Sequence, residues 1–304
     1  MTLNKIIAKY QNGNATVKIY EDGTRIIETE DDEFHYDKPC NVDVNVSNRC
    51  LRGCKFCYNG SSPWGDNAPL RNFIFLDSMI PGSEVSLSTG TLKQCPDFEK
   101  ILELCAKKGI LANATFHEDE FIENFEQIKK WQEDKLLYGI GISYSHADDR
   151  LVECTRQINN VVFHVINGIF TEEDANWITE HVRNPKILIL GYKTKARGVV
   201  YQQNYSDEIK AKQQWLYDNL GSLMKKVYVM SFDNSALKQL NVKRLLTDEE
   251  WESFYQGDDV NGESGSMYID AVKGKFARNS ISDIQYDLTD DVKYMFRLIK
   301  EERV

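Results

Sequence analysis

The sequence predicts an α/β fold: six strand–helix units arranged as an open (β/α)6 partial barrel. Three observations lead there. From residue 42 onward, short β-rich runs alternate with helical stretches, the pattern of βα units around a parallel sheet. Six such strands can be counted, short of the eight that close a barrel. The strands are also apolar only at alternate positions. Val42, Val44 and Val46 alternate with Asp43, Asn45 and Ser47, and Val85 and Leu87 with Ser86 and Ser88. Ala112, Ala114 and Phe116 alternate with Asn113, Thr115 and His117; Ile140, Ile142 and Tyr144 with Gly139, Gly141, Ser143 and Ser145. A parallel strand covered on both faces would be apolar throughout. Here one face is apolar, to meet helices, and the other is small and polar. The period alone fits an amphipathic sheet with one solvated face. The helices between the strands favour a lumen that holds a polar ligand.

Each element has a local reason. Residues 5–29 read as short strands, with Asn12-Gly13 and Asp22-Gly23 as hairpin turns. Residues 1–40 are therefore expected to form an N-terminal β-ribbon. The core is expected over 41–200, with strands at 42–47, 84–90, 110–117, 138–145, 160–167 and 186–192. Helices are expected at 97–108, 118–133, 148–156, 171–182 and 206–222. Asp97, the Glu118-Asp119 pair and Thr171 supply their N-terminal signals. From 201 to 304 the rhythm fades into an α+β C-terminal extension, read as a substrate cover. It holds a strand at 226–232, short helices at 237–240 and 248–255, and a mobile loop at 256–266. Thr247 with Glu250 is a capping box for the second of those helices. A hairpin around Gly274 (267–273 with 275–278) and a helix at 290–300 complete the extension.

Composition narrows the function. A net charge of −10 over 304 residues argues against broad binding to duplex nucleic acid. The first nine residues lack an apolar signal core, and no run of about 18 apolar residues exists, so a cytoplasmic protein is expected. Seven cysteines, an odd and mostly scattered set, do not read as a disulfide framework.

Three of them are clustered. Cys50, Cys54 and Cys57 follow the first core strand with C-x3-C-x2-C spacing on a loop containing Gly53. Three thiolates so placed suit one soft metal centre. Arg49, Arg52 and Lys55 stand among them and are expected to lower the thiol pKa values. A structural zinc needs a fourth ligand; Cys40 and His35 are the candidates for a zinc-stabilised, non-enzymatic binding module.

With Phe56 just before the last cysteine, the motif resembles the signature of the radical S-adenosylmethionine (SAM) superfamily. The resemblance spans roughly 42–198 and implies a partial TIM-type barrel with a [4Fe–4S] cluster on Cys50, Cys54 and Cys57. It implies SAM on the open iron and a reductant such as flavodoxin or ferredoxin. Electron transfer to SAM would then release a 5′-deoxyadenosyl radical, which takes a hydrogen atom from substrate. In this family a Gly-Gly-Glu-like turn after the second strand takes the methionine amino group. Here Ser88-Thr89-Gly90-Thr91 stands there, without the Glu. The resemblance places Phe56 and Tyr58 near adenine, Ser143 or Ser145 near ribose or carboxylate, and Asn167-Gly168 beside adenine. It offers Lys193 or Arg197 to the SAM carboxylate. Tyr58 reads equally as loop packing, and both cations as solvated charge. Ser231-Phe232-Asp233-Asn234 and Tyr268-Ile269-Asp270 resemble runs in uncharacterised radical SAM proteins of phages and bacteria, which carries no activity. On the polar face, Asp43, Asn45 and His117 are substrate-pocket candidates, with His146 and His164 weaker ones. The substrate is read as a peptide or protein, or as a nucleotide or small molecule enclosed by 256–266.

Overall fold

The computed structural model describes residues 5–255, 257 and 263–301. Its first three strands, β1 (Ile6–Asn12), β2 (Ala15–Tyr20) and β3 (Arg25–Glu28), form a separate antiparallel sheet. Both expected turns are present, and Gly13 and Gly23 sit at φ +62° and +91°, where a side chain would be strained.

The main sheet begins with β4 (Asn41–Asn45) and β5 (Glu84–Ser88), joined by a long connection with a 3₁₀ segment at Leu70–Ser78. Then α1 (Phe98–Lys107), β6 (Leu111–His117), α2 (Glu118–Glu123), α3 (Phe125–Glu133), β7 (Gly139–Ser143), α4 (Asp149–Thr155) and β8 (Val161–Ile166) alternate. They are followed by α5 (Glu172–His181), β9 (Lys186–Leu190), α6 (Arg197–Met224) and β10 (Val229–Phe232). After α7 (Asn234–Leu240) and α8 (Asp248–Phe254) come β11 (Ser266–Asp270), β12 (Lys275–Ala277), β13 (Tyr286–Asp287) and α9 (Val292–Glu301).

The helix boundaries have visible causes. Helix 118–133 divides at Asn124, whose φ of −116° ends α2 and starts α3. Thr171 and Thr247 make the expected capping boxes. The helix expected at 206–222 begins earlier, at Arg197, and is broken at Tyr205 by non-helical angles. Residues 256 and 258–262 of the expected mobile loop lie outside the described residues.

The sheet is larger than six strands. Its order is β10-β9-β8-β7-β6-β5-β4-β11-β12-β13, and the first eight run parallel. The strand expected at 226–232 adds one parallel partner beyond β9. The expected hairpin forms between β11 and β12, but β11 also pairs in parallel with β4. Met267 and Ile269 align with Val42 and Val44, so matched apolar residues set that register. A pairing across more than 200 residues leaves no local trace, while the turn at Gly274 does.

The alternation is realised. Val42, Val44, Val85, Leu87, Ala112, Ala114, Phe116, Ile140, Ile142, Ile187 and Ile189 are almost fully buried against the helices. Phe98 of α1 packs edge-on to Phe116 at 6.0 Å and against Trp131 of α3 at 5.6 Å. Each fully buried ring of this kind contributes about 1.5–3 kcal/mol. The opposite face lines a space. One cavity of about 660 Å³ is bordered by Asp43 and Ser86 from β4 and β5 and by Leu188 and Ser231 from β9 and β10. These strands stand far apart in the sheet order, so the sheet curls round to bring them together. The β-ribbon closes the N-terminal strand ends. Arg25 pairs with Glu84 at 3.2 Å, the Tyr138 hydroxyl donates to the Tyr20 carbonyl, and Lys186 donates to the Asp22 carbonyl.

Candidate active site

The three clustered cysteines lie at the opposite end, on the loop that leaves the C-terminal end of β4. All three are free and half-buried. The backbone folds tightly around them. Cys57 N–H donates to Cys54 O at 3.2 Å, Gly60 N–H to Cys57 O at 3.3 Å, and Cys50 N–H to Ser62 O at 2.9 Å. Gly53 and Gly60 supply the left-handed turns, at φ +67° and +66°.

The expected lowering of the thiol pKa does not hold for Cys54. Burial pushes it up, and the charges of Cys57 and Cys50 push it further, while Arg197 pulls it down. Charge on Cys50 and Cys57 thus disfavours a further charge on Cys54. The expected counter-charges are engaged elsewhere. Arg52 turns outward to Glu120, Asp119 (3.1 Å) and Glu123 (3.1 Å), and Arg49 Nε donates to Gly65 O at 2.7 Å.

The Ser88–Thr91 turn packs on this loop. A Cβ on Gly90 would lie 2.1 Å from the Arg49 carbonyl oxygen and 2.9 Å from Cys50 Cβ, so only glycine allows that approach. Thr91 Oγ1 accepts from Leu51 N–H at 2.9 Å, and Ser88 Oγ donates to Val44 O at 3.3 Å. Thr89 Oγ1 is buried without a nitrogen or oxygen partner, beside the Cys95 thiol, whose pKa burial raises to about 11.

Arg197, from the start of α6, clamps the loop from the other side. Its Nε donates to Cys54 O at 3.0 Å and a terminal nitrogen to Ser61 O at 2.7 Å. Phe56 meets Tyr201 edge-on at 5.9 Å, and Tyr201 stacks on Tyr205 at 4.6 Å. Tyr58 carries the Lys193 ammonium over its ring at 4.5 Å. Lys193 also donates to Ser280 Oγ at 3.1 Å and stands 4.0 Å from Asp233.

Other expected residues have protein partners of their own. Ser145 donates to Glu118 from both its hydroxyl (2.6 Å) and its backbone N–H (3.0 Å). Asn167 Nδ2 donates to Gln239 at 3.0 Å while its Oδ1 is buried without a partner. Gly168, at φ +94°, packs under Ile209. Ser143 ends β7 opposite His117 and His164. Asn45 is buried between Asn48, Asn59 and Asp270. His117 caps α2 through Nδ1, which accepts from Asp119 N–H at 3.3 Å, and burial lowers its pKa. His164 faces the lumen beside Gly141 and Thr115, where burial lowers its pKa to about 4. Asp43 is solvent-exposed on β4 and opens onto the cavity, where partial desolvation raises its pKa.

Sequence reasoning missed the role of α2. Its first-turn acids read as a helix-start signal, but they tie the site together. Glu120, 1% exposed, accepts from Arg52 on the cysteine loop and from Leu92 N–H at 3.0 Å beside the Ser88–Thr91 turn. Glu118, fully buried, holds Ser145 and His146 after β7. The only trace in the sequence was three consecutive acids directly after a strand.

No family model matches the chain, and no curated protein matches it. Solved structures do. A structure of Streptococcus suis SuiB bound to S-adenosylmethionine aligns with TM-score 0.58 and 9% identity, over 99% of this chain and 90% of SuiB. SuiB bound to the precursor peptide SuiA aligns with TM-score 0.55 and 12% identity, over 88% and 68%. A further SuiB structure gives TM-score 0.53 and 10% identity, over 94% and 86%. At such identities the likeness is one of fold. Among the described residues no helix is long and apolar enough to cross a membrane.

Proposed function

We propose that this chain is a radical SAM enzyme acting on a peptide, with a [4Fe–4S] cluster on Cys50, Cys54 and Cys57. The observation that carries the reading is the loop: three free, half-buried cysteines on one tightly turned segment at the C-terminal end of a parallel strand. Ligands gather at that end of such sheets. The donor set fits the group, because thiolates hold Fe–S clusters and three of them leave one iron for another ligand. When bound, the cluster would supply the electron that cleaves SAM to a 5′-deoxyadenosyl radical, which abstracts hydrogen from the substrate.

The chain's own residues position these partners. The Ser88–Thr91 turn lies against Cys50 and would offer its backbone to the methionine ammonium, while the Thr89 hydroxyl is buried beside Cys95. Phe56 and Tyr58 offer aromatic faces to adenine, with Gly168 and Ser143 at neighbouring strand ends. Lys193 and Arg197 are both held by protein, by Ser280 and Asp233 and by Cys54 O and Ser61 O, so either would exchange a partner to meet the SAM carboxylate. A peptide is favoured over a nucleotide because SuiB, which shares the fold, is known in structures with SAM and with the peptide SuiA. Flavodoxin or ferredoxin would supply the electron.

The zinc-stabilised binding module loses its fourth ligand. Cys40 precedes β4 and Cys50 follows it, so the five-residue strand, roughly 17 Å long, separates them. His35 packs by its backbone on Gly13 and Asn14 of the ribbon. The test is anaerobic reconstitution with iron and sulfide, then dithionite and SAM. Formation of 5′-deoxyadenosine is expected; an iron-loaded chain that leaves SAM intact overturns the reading.

A further inference from the structure

The cavity of about 660 Å³ below the cysteine loop is richer in cations and hydrogen-bond donors than in anions. Its size lies within the ~300–1,000 Å³ typical of small-ligand sites. Arg25, Lys193, Lys238 and Arg278 border it, against the carboxylates of Asp43 and Asp233. Arg25 is balanced by Glu84 at 3.2 Å. Three cations then remain against two carboxylates, and Asp233 is already held. Its Oδ1 accepts from Gly191 N–H at 2.9 Å and Ala236 N–H at 2.7 Å, and Lys193 stands 4.0 Å from its Oδ2. Asp43, exposed on β4, accepts from the Asn41 amide at 2.9 Å.

The hydroxyls add to this bias. Ser280 Oγ accepts from Lys193 Nζ at 3.1 Å, so its own proton is left to donate. Among the described residues no acceptor takes that proton, and the Ser235 hydroxyl has no partner either. Ser235 and Lys238 are three residues apart on α7, on one face of the helix, and both border the cavity. Ser280 reaches it from the segment that follows β12. A lysine ammonium carries three donors, so one protein partner does not exhaust Lys238.

We propose that this cavity binds a carboxylate of the substrate, with Lys238, Ser235 and Ser280 as its donors. The proposal rests on the peptide reading above and names the group that the peptide presents, an acidic side chain or the C-terminus. A carboxylate accepts charge-assisted hydrogen bonds, which are stronger than neutral ones. The location suits a positioning role. Lys193, which holds Ser280, lies 4.5 Å from the centre of the Tyr58 ring, one residue past Cys57. A carboxylate clasped at Ser280 would hold the rest of the peptide beside the cysteine loop.

The test needs no cluster, so its failure is separate from failure of the SAM chemistry. Saturation-transfer NMR on the cluster-free full chain would compare two pairs of probes. Nα-acetyl-glutamate methylamide against its glutamine isostere reports a side-chain carboxylate. Nα-acetyl-norvaline against its methylamide reports a C-terminal one. The acid of one pair is expected to bind about tenfold more tightly than its neutral partner, and the pair that shows it identifies the source. The double variant Lys238→Gln/Ser280→Ala is expected to lose that preference. No preference in either pair on the wild-type chain overturns the proposal, as does a folded double variant that keeps it. Tighter binding of inorganic phosphate than of either acid also overturns it, in favour of a phosphorylated ligand. The probe series on unaltered protein decides the matter even where the variant fails to fold.

Discussion

The two ends of the parallel sheet use the same residue types for different ends. At the N-terminal end an arginine meets a glutamate, Arg25 with Glu84, and Asn113 donates to that glutamate at 3.0 Å. A buried cysteine, Cys40, takes a hydrogen bond from Asn12 at 3.3 Å, and burial raises its pKa. The β-ribbon closes over all of it. At the C-terminal end Arg52 meets Glu120, and three cysteines stand half-buried on a loop braced by Arg197 and Thr91. The lower set is covered by the ribbon and tied by the Arg25–Glu84 pair, although Arg25 Nε and the Tyr10 hydroxyl are buried without a hydrogen-bond partner. The upper set keeps three free, half-buried thiols on one loop, without disulfide partners.

The comparison breaks most sharply at the cysteines. Cys54→Ala is expected to abolish iron–sulfur loading while the chain stays folded, whereas Cys40→Ala keeps about four irons per chain. Iron and sulfide assays on reconstituted variants check this; full loading of Cys54→Ala would remove the upper end from the chemistry.

The two arginine–glutamate pairs come next. Glu120→Ala removes the buried carboxylate of Arg52, which keeps Asp119 and Glu123, and Glu84→Ala removes the ion-pair partner of Arg25, each at a cost of about 1–3 kcal/mol. For a chain of this size that lowers Tm by roughly 2–12 °C. Only Glu120→Ala is expected also to weaken SAM binding, because Leu92 N–H loses its acceptor beside the Ser88–Thr91 turn. Thermal melts with and without SAM separate the two; equal SAM stabilisation in both variants would show the ends to be equivalent.

Between the ends lies His164. Its pKa falls from 6.5 unfolded to about 4 folded, because burial disfavours the charged ring. The unfolded chain therefore binds the extra proton first. The stability tied to a neutral His164 is complete above pH 6.5 and is lost as pH falls toward 4, by up to about 3 kcal/mol. Urea unfolding at pH 7.5, 6 and 5 should show a shallower loss in His164→Gln than in the wild-type chain; parallel curves would contradict the assignment.

The smallest expected effect distinguishes two glycines. Gly90→Ala pushes a methyl into the Arg49 carbonyl and should weaken SAM affinity about tenfold. Gly23→Ala strains a turn against Asn160 in the ribbon and should lower stability by about 1–2 kcal/mol without touching SAM affinity. Calorimetric titration and denaturant midpoints give the two readouts.

What the sequence revealed was local. Turn residues, alternating strand faces and capping boxes are short-range signals, and the structure realises them at Asn12-Gly13, along β4 to β7, and at Thr171 and Thr247. Two features lay beyond its reach. The parallel pairing of β11 with β4 joins segments more than 200 residues apart, and nothing near Met267 announces it. The charges around the cysteines were misjudged for the same reason. Arg52 is close to them in sequence, but three carboxylates of α2 hold it, and Arg197 arrives from 143 residues away. Spacing identified the thiols; their electrostatic setting depends on elements that only folding brings near.

Electron paramagnetic resonance of the reduced, reconstituted chain is the most direct measurement. The account predicts a cluster signal that changes shape when SAM is added, because the iron without a thiolate takes the cosubstrate. A reduced cluster whose spectrum is indifferent to SAM, at concentrations that saturate binding, would contradict it.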